Sequence, residues 1–106
     1  MGIGIDIVRM ARFAGKEKLA PRILSPEELA IYQQRSNKVE FIAGRFAAKE
    51  AFFKALKKGI GHIPFTAVSI IYDSHGAPIL IHDNNRYEVS ISHDGDYAIA
   101  IVKVDK

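Results

Sequence analysis

Residues 41–61 read FIAGRFAAKEAFFKALKKGIG, a helix-compatible run that ends in glycines and carries one carboxylate, Glu50, among Arg45, Lys49, Lys54, Lys57 and Lys58. At about 100° per residue, Val39, Ile42, Phe46 and Phe53 fall into one apolar stripe, with Glu50 on its edge beside Lys54. A glutamate in that position is partly shielded from water. It must find a hydrogen-bonded partner, a cation or a metal, because an unpaired buried charge costs several kcal/mol or shifts its pKa until it is neutral. Two readings stay open from the helix alone. Glu50 pairs with Lys54 one turn on, in the favourable order worth about 0.2–0.5 kcal/mol, or it serves a site.

Outward from this helix the chain divides in two. The helix is expected from about Lys38 to Lys58, stopped by Gly59 and Gly61 with Pro64 beyond. Before it, Ile3 to Val8 alternates small or polar with branched apolar residues and reads as a first strand with Asp6 inside it. A basic, weakly amphipathic helix is expected from about Arg9 to Lys18, interrupted before Pro21. Ser25-Pro26-Glu27-Glu28 forms a capping box that opens a short helix through about Gln34. After Pro64 the period changes to two. Ala67 to Tyr72, Pro78 to His82, Glu88 to Ser92 and Tyr97 to Val104 read as strands, with turns at 73–76, 83–85 and His93 to Asp96. Helices followed by a four-strand meander indicate an α+β domain with helices packed on an antiparallel β-sheet.

The 106 residues suit a single domain, 1–106, and 48% are apolar. No stretch approaches the roughly 20 apolar residues of a membrane-spanning helix, and MGIGIDIVRM reads as neither a secretory leader nor a myristoylation site. The sequence has no cysteine, which excludes disulfides, thiolate metal sites and cysteine nucleophiles and accords with a cytoplasmic location. Any metal must be held by oxygen or histidine. A net charge of +3 suggests an acidic partner. No nucleic-acid motif accompanies the charge, so neither nucleic acid nor membrane is expected as a partner.

Three pieces could converge: Asp6, Glu50, and the Ser90-Ile91-Ser92-His93 segment. If Asp6 and Glu50 meet, their repulsion is commonly relieved by a hard divalent cation such as Mg²⁺, with phosphate oxygens and water completing its coordination. Arg45, Lys49 and Lys54 around them suit a phosphorylated ligand. Each piece also has an ordinary structural reading: Asp6 as a cap or an arginine partner, His93 as a turn residue. His62, His75 and His82 lack the spacing of a metal cluster.

GIGIDIV at 2–8, FIAGRFAAKEAFFKAL at 41–56 with GIG at 59–61, and VSISHDGDYAIAIV at 89–102 resemble, in the same order, the holo-(acyl-carrier-protein) synthases of the 4′-phosphopantetheinyl transferase superfamily. ILSPEEL at 23–29 is similar to that family's short second helix. The resemblance implies transfer of 4′-phosphopantetheine from coenzyme A to a serine of apo acyl carrier protein, releasing adenosine 3′,5′-bisphosphate, in support of fatty acid biosynthesis. It implies Asp6 and Glu50 as Mg²⁺ ligands, with Glu50 and Lys54 catalytic. It further implies that Arg45, Lys54, Gly59, Ser92 and His93 contact coenzyme A or support its site. Glu50, acting through a metal-bound water or directly, is the candidate base for the serine proton. Basic Arg9, Arg12, Lys16 and Arg22 would face the acidic carrier, with Arg12 matching a position of the family's carrier-binding helix and Arg9 beside it. Short members of the family are similar to one another in forming homotrimers with sites between protomers.

Two departures stand out. Lys57-Lys58 occupies the place of the family's frequent Gly-Thr, and the segment between Gly76 and Val89 is short where relatives often carry a helix. A trimmed domain with activity intact is expected. The alternative is a non-catalytic module that binds carrier protein or coenzyme A. Paired acids argue against it, since a pure binder needs no metal ligands.

Overall fold

The computed structural model describes residues 2–57 and 63–105. Strand β1 (Gly2–Arg9) opens the chain. Two 3₁₀ turns follow at 10–13 and 17–19, then the short helix α1 (Ala20–Ile23), α2 (Pro26–Tyr32) and the long α3 (Lys38–Leu56). Strands β2 (Ser69–Tyr72), β3 (Pro78–His82), β4 (Asn85–Asp94) and β5 (Tyr97–Val104) complete it. All five strands form one antiparallel sheet in the order β1-β5-β4-β3-β2. The expected meander is present, and β1 adds to its far side by pairing with the last strand. The expected α+β architecture, helices against an antiparallel sheet, is the one observed.

The alternation GIGIDIV explains how α3 seats itself. Gly2, Gly4, Asp6 and Val8 face the helix, and Ile3, Ile5 and Ile7 face away. A Cβ on Gly4 would stand 1.8 Å from the Ala51 carbonyl oxygen, and one on Gly2 would stand 2.0 Å from that of Ala55. The two glycines and the small residues Ala47, Ala51 and Ala55 therefore let backbone approach backbone. Because β1 steps two residues while α3 steps four, continuing this register carries Asp6 toward the turn that holds Glu50.

Several local expectations change. The residues from Arg9 to Lys18 do not form one helix. Gly15, at φ +71°, breaks the segment between its two 3₁₀ turns, and Pro21 sits in the first turn of α1 rather than ending a helix. His93 lies in β4, paired with Ala98, and the turn narrows to residues 95 and 96. Residue 67 ends a 3₁₀ turn, so β2 starts at Ser69. The apolar stripe on α3 also proves too narrow a description. Phe41, Ile42, Ala43, Ala47, Ala48, Ala51, Phe52, Phe53 and Ala55 are all buried, because the sheet covers one side and α1, α2 and the 3₁₀ turns cover much of the rest. The capping box of α2 is as expected: Glu28 N–H donates to Ser25 Oγ and Ser25 N–H to Glu28 Oε1. α3 ends at Leu56 with Lys57 as its left-handed cap, short of the expected Lys58, and the expected stop at Gly59 and Gly61 lies outside the described residues. Between Gly76 and Val89 there is only β3, a two-residue turn with Asp83 and Asn84 at positive φ, and the start of β4. The expected strand is present, while the expected turn at 83–85 tightens by one residue and β4 runs from Asn85 to Asp94 rather than from Glu88 to Ser92.

Candidate active site

Asp6 reaches the site because it faces inward on β1, and Glu50 and Lys54 because they stand one turn apart on the same side of α3. Lys54 Nζ donates to Asp6 Oδ1 at 3.0 Å and to the Ile5 carbonyl at 2.9 Å. The lysine that the helix alone paired with Glu50 therefore pairs with the acid of the strand. Glu50 is left half-buried, and its pKa rises above the ordinary glutamate value. Burial is the larger cause and the charge of Asp6 the next, with Lys54 and Arg12 opposing. The charge of Asp6 is thus felt at Glu50.

Arg12 belongs to the same rim. Its guanidinium lies 5.2 Å from the Phe46 ring centroid and 5.8 Å from that of Phe13, and its charge is felt at Glu50. Arg9, the last residue of β1, donates through Nη2 to the Tyr97 hydroxyl at 3.0 Å. Both arginines are exposed, as are Lys16 and Arg22.

Arg45 and Lys49 do not join this fence. Five residues before Glu50, Arg45 points about 140° away around the helix. It lines a separate cavity of about 360 Å³ with Arg35, Glu40, Tyr72 and His93. There Arg45 Nη2 donates to the Ile70 carbonyl at 3.2 Å and to the Tyr72 hydroxyl at 3.1 Å, and the guanidinium lies 4.1 Å from the Phe41 ring centroid. Arg35 also donates to the Tyr72 hydroxyl, at 2.6 Å. Lys49 turns into the core with no exposure. Its three ammonium protons are taken by Glu28 Oε1 at 2.5 Å, the Ile23 carbonyl at 2.6 Å and the Phe65 carbonyl at 2.9 Å. Burial pulls its pKa below the ordinary lysine value, and Glu28 works against that shift. A lysine spent in this way is structural. Its place in the sequence motif suggested a phosphate ligand, but it stands about 100° around the helix from Glu50, on the side packed against α1 and α2.

His93 enters the Arg45 cavity from β4, with Nδ1 3.8 Å from Glu40 Oε1. Gly44 gives it room: a Cβ there would lie 3.3 Å from His93 Nε2. Ser92, its neighbour, faces the opposite side of the sheet beside Ile5, Ile99 and Ile101, since successive residues of a strand alternate. Gly59 lies outside the described residues. One chain thus carries two separate pieces, an acid pair with Lys54 and a cationic cavity. Sequence reasoning missed Arg35, Tyr72 and Glu28. Only the capping-box spacing marked Glu28, and that marked it as a helix start.

The donor set at the first piece suits a hard cation. Both acids offer oxygen, and Glu50 carries an ionisation penalty that a nearby positive charge would relieve. Among the described residues no group of three or more acids, histidines or cysteines converges, so a metal there would draw its other ligands from phosphate oxygens and water.

The comparisons with known proteins agree with the fold. The family model described as the 4′-phosphopantetheinyl transferase superfamily matches residues 2–102. A holo-[acyl-carrier-protein] synthase of Geobacillus sp. is 47% identical over 115 aligned positions, covering 100% of this chain and 97% of that protein. The crystal structure of the synthase from Neisseria meningitidis is 36% identical and superposes with a TM-score of 0.89 over 99% of this chain and 98% of that one. That from Bacillus anthracis, solved in complex with CoA (3′,5′-ADP), is 40% identical with a TM-score of 0.85, covering 95% and 92%. This chain belongs to the 4′-phosphopantetheinyl transferase superfamily, among the holo-(acyl-carrier-protein) synthases.

Proposed function

We propose that this chain transfers 4′-phosphopantetheine from coenzyme A to a serine of apo acyl carrier protein, with Asp6 and Glu50 holding Mg²⁺ at the reacting pyrophosphate. The observation that carries the site is the disturbed Glu50, raised by burial and by Asp6 while Lys54 stands bonded to Asp6. When bound, Mg²⁺ would neutralise charge growing on the pyrophosphate oxygens as the β-phosphorus is attacked. Lys54 adds a mobile positive charge, and half of its side chain is exposed and free to turn from Asp6 to a phosphate. Glu50, directly or through a water, accepts the serine proton.

Arg45, His93 and the segment around Gly59 are proposed to receive the phosphates of coenzyme A. Arg45 and Glu50 diverge on α3, so a single copy does not present both pieces to one side. A homotrimer that sets the cavity of one protomer beside the acid pair of the next would unite them. The outer face of the sheet supports self-association: Ile3, Ile5 and Ile7 are 62%, 54% and 59% exposed, and Ile5 pairs with Ile101 and Ile7 with Ile99. Ser92, on that face, would then lie at the protomer interface. Arg12, whose charge is felt at Glu50, and Arg9, exposed at the end of β1, would orient the acidic carrier. The reading places the reaction in the cytoplasm, in support of fatty acid synthesis, with the whole chain acting as one domain.

The test is the intact mass of apo acyl carrier protein after incubation with the chain, coenzyme A and Mg²⁺, beside an EDTA control. A gain of one phosphopantetheine arm that requires the metal is expected. Full gain in EDTA would remove the metal from the proposal, and no gain with a folded, coenzyme A-binding chain would remove turnover.

A further inference from the structure

Glu28 is a fully buried carboxylate that takes no part in the reaction set out above, yet it is tied to a residue that does. Its position is dictated by the start of α2, where Oε1 accepts the Ser25 N–H at 2.9 Å. Oε1 also accepts from Lys49 Nζ at 2.5 Å, and Oε2 accepts the Ile70 N–H at 2.8 Å. β2 is an edge strand, and the N–H and C=O of Ile70 point together off that edge. Glu28 takes the N–H, and Arg45 Nη2 donates to the C=O at 3.2 Å. Carboxylate and guanidinium therefore hold one strand residue between them.

Arg45 Nε is buried without a hydrogen-bond partner and faces Glu28 Oε2 at 3.8 Å. With Nη2 engaged by Ile70 and Tyr72, Nη1 is the nitrogen left for the cavity. Lys49 neutralises Glu28, so the carboxylate can orient Arg45 without cancelling its positive charge. That separation of duties, one cation to balance the acid and one to serve the cavity, explains a buried cluster with two cations and one anion.

We propose that Glu28 is a positioning residue for coenzyme A binding. Through Ile70 and through Nε it sets the plane of Arg45 and aims the free end of the guanidinium at a phosphate in the cavity. The proposal rests on the assignment of Arg45 to a coenzyme A phosphate.

The test is a double-mutant cycle read by calorimetric coenzyme A affinity, with kcat measured at saturating coenzyme A. Glu28→Asp keeps the charge beside Lys49 and draws it back by one methylene. Arg45→Gln removes the guanidinium. Each is expected to weaken coenzyme A binding about ten-fold, the loss of one charge-assisted hydrogen bond. The double variant is expected to bind no more weakly than Arg45→Gln, and Glu28→Asp to keep its kcat. A merely structural Glu28 would give additive losses, and that result overturns the proposal, as does parental affinity in Glu28→Asp. If Arg45→Gln itself binds coenzyme A normally, the assignment of Arg45 falls first and the proposal with it. Should Glu28→Asp fail to fold, Glu28→Gln with Lys49→Met removes both charges and takes its place in the cycle. The parent protein supplies a reading without substitution. Its Arg45 Nε–H should exchange slowly with solvent by NMR, and exchange as fast as that of an exposed arginine overturns the proposal.

Discussion

Replacing Gly4 with alanine should remove much of the stability of this protein. The added Cβ would lie 1.8 Å from the Ala51 carbonyl oxygen, 2.8 Å from its carbonyl carbon and 2.8 Å from the Ala55 nitrogen. All three are backbone atoms of α3, so no side chain can rotate aside. Reaching even the 3.0 Å that real Cβ atoms rarely breach requires a shift of 3.0 − 1.8 = 1.2 Å between β1 and the central helix. A gap of about 0.5–1 Å already forfeits a quarter to a half of the dispersion attraction between facing atoms. Overpacking alone costs about 1–3 kcal/mol, and a rigid backbone obstacle places this substitution at about 3 kcal/mol or above. The assay is urea denaturation followed by circular dichroism, with the midpoint falling and the slope unchanged. Gly44→Ala is the control: its Cβ would meet His93 Nε2 and an Ile91 methyl at 3.3 Å, atoms of side chains that can yield, while alanine favours the helix by about 1 kcal/mol. Gly44→Ala should leave stability equal or higher. A loss below about 1 kcal/mol in Gly4→Ala would refute the close-approach account.

Glu50→Gln should abolish carrier modification yet raise the melting temperature in metal-free buffer at neutral pH, because it removes a carboxylate whose folded pKa is raised. Such a group costs nothing when protonated in both states. The cost appears as pH rises from the ordinary glutamate range through the raised folded value, so the advantage of glutamine should vanish on acidification. A variant that melts lower than the parent at neutral pH would contradict this. Lys57 sits at the end of α3 with φ 59° and ψ 30°, a left-handed conformation that costs a non-glycine residue about 1 kcal/mol. Lys57→Gly should therefore raise the urea midpoint by about 0.5–1 kcal/mol equivalent, and an unchanged or lower midpoint would count against it. Ile5→Lys, on the exposed sheet face, should shift the mass measured by light scattering to that of one chain and reduce turnover with it. Retained assembly would place the interface elsewhere. Arg12→Glu should raise KM for the carrier protein more than KM for coenzyme A, and an equal rise in both would withdraw the carrier-contact role.

Local sequence determined the elements whose signals lie within a few residues. The Ser25-to-Glu28 capping box, a turn around Asp83-Asn84 and the period-two strands all form, with the ends of β2 and β4 shifted by two or three residues. The motifs around Asp6 and Glu50 also identified the acids that the fold brings together. Where tertiary contacts compete, the local reading failed. Met10 N–H bonds the Asp96 carbonyl at 2.8 Å across the fold, and the basic segment of 9–18 forms 3₁₀ turns parted at Gly15, while β-pairing with Ala98 outweighed the turn propensity around His93.

The partners of each charge were decided only by the tertiary structure. On an isolated helix Glu50 and Lys54 are neighbours, but β1 places Asp6 within reach of Lys54 and leaves Glu50 half-shielded. Arg45 and Lys49, adjacent to Glu50 in the motif, are drawn away to Ile70 and Glu28, residues 25 and 21 positions distant in sequence. Periodicity says which side of a helix a cation occupies. It does not say what packs there, and a buried charge takes its role from whatever satisfies it.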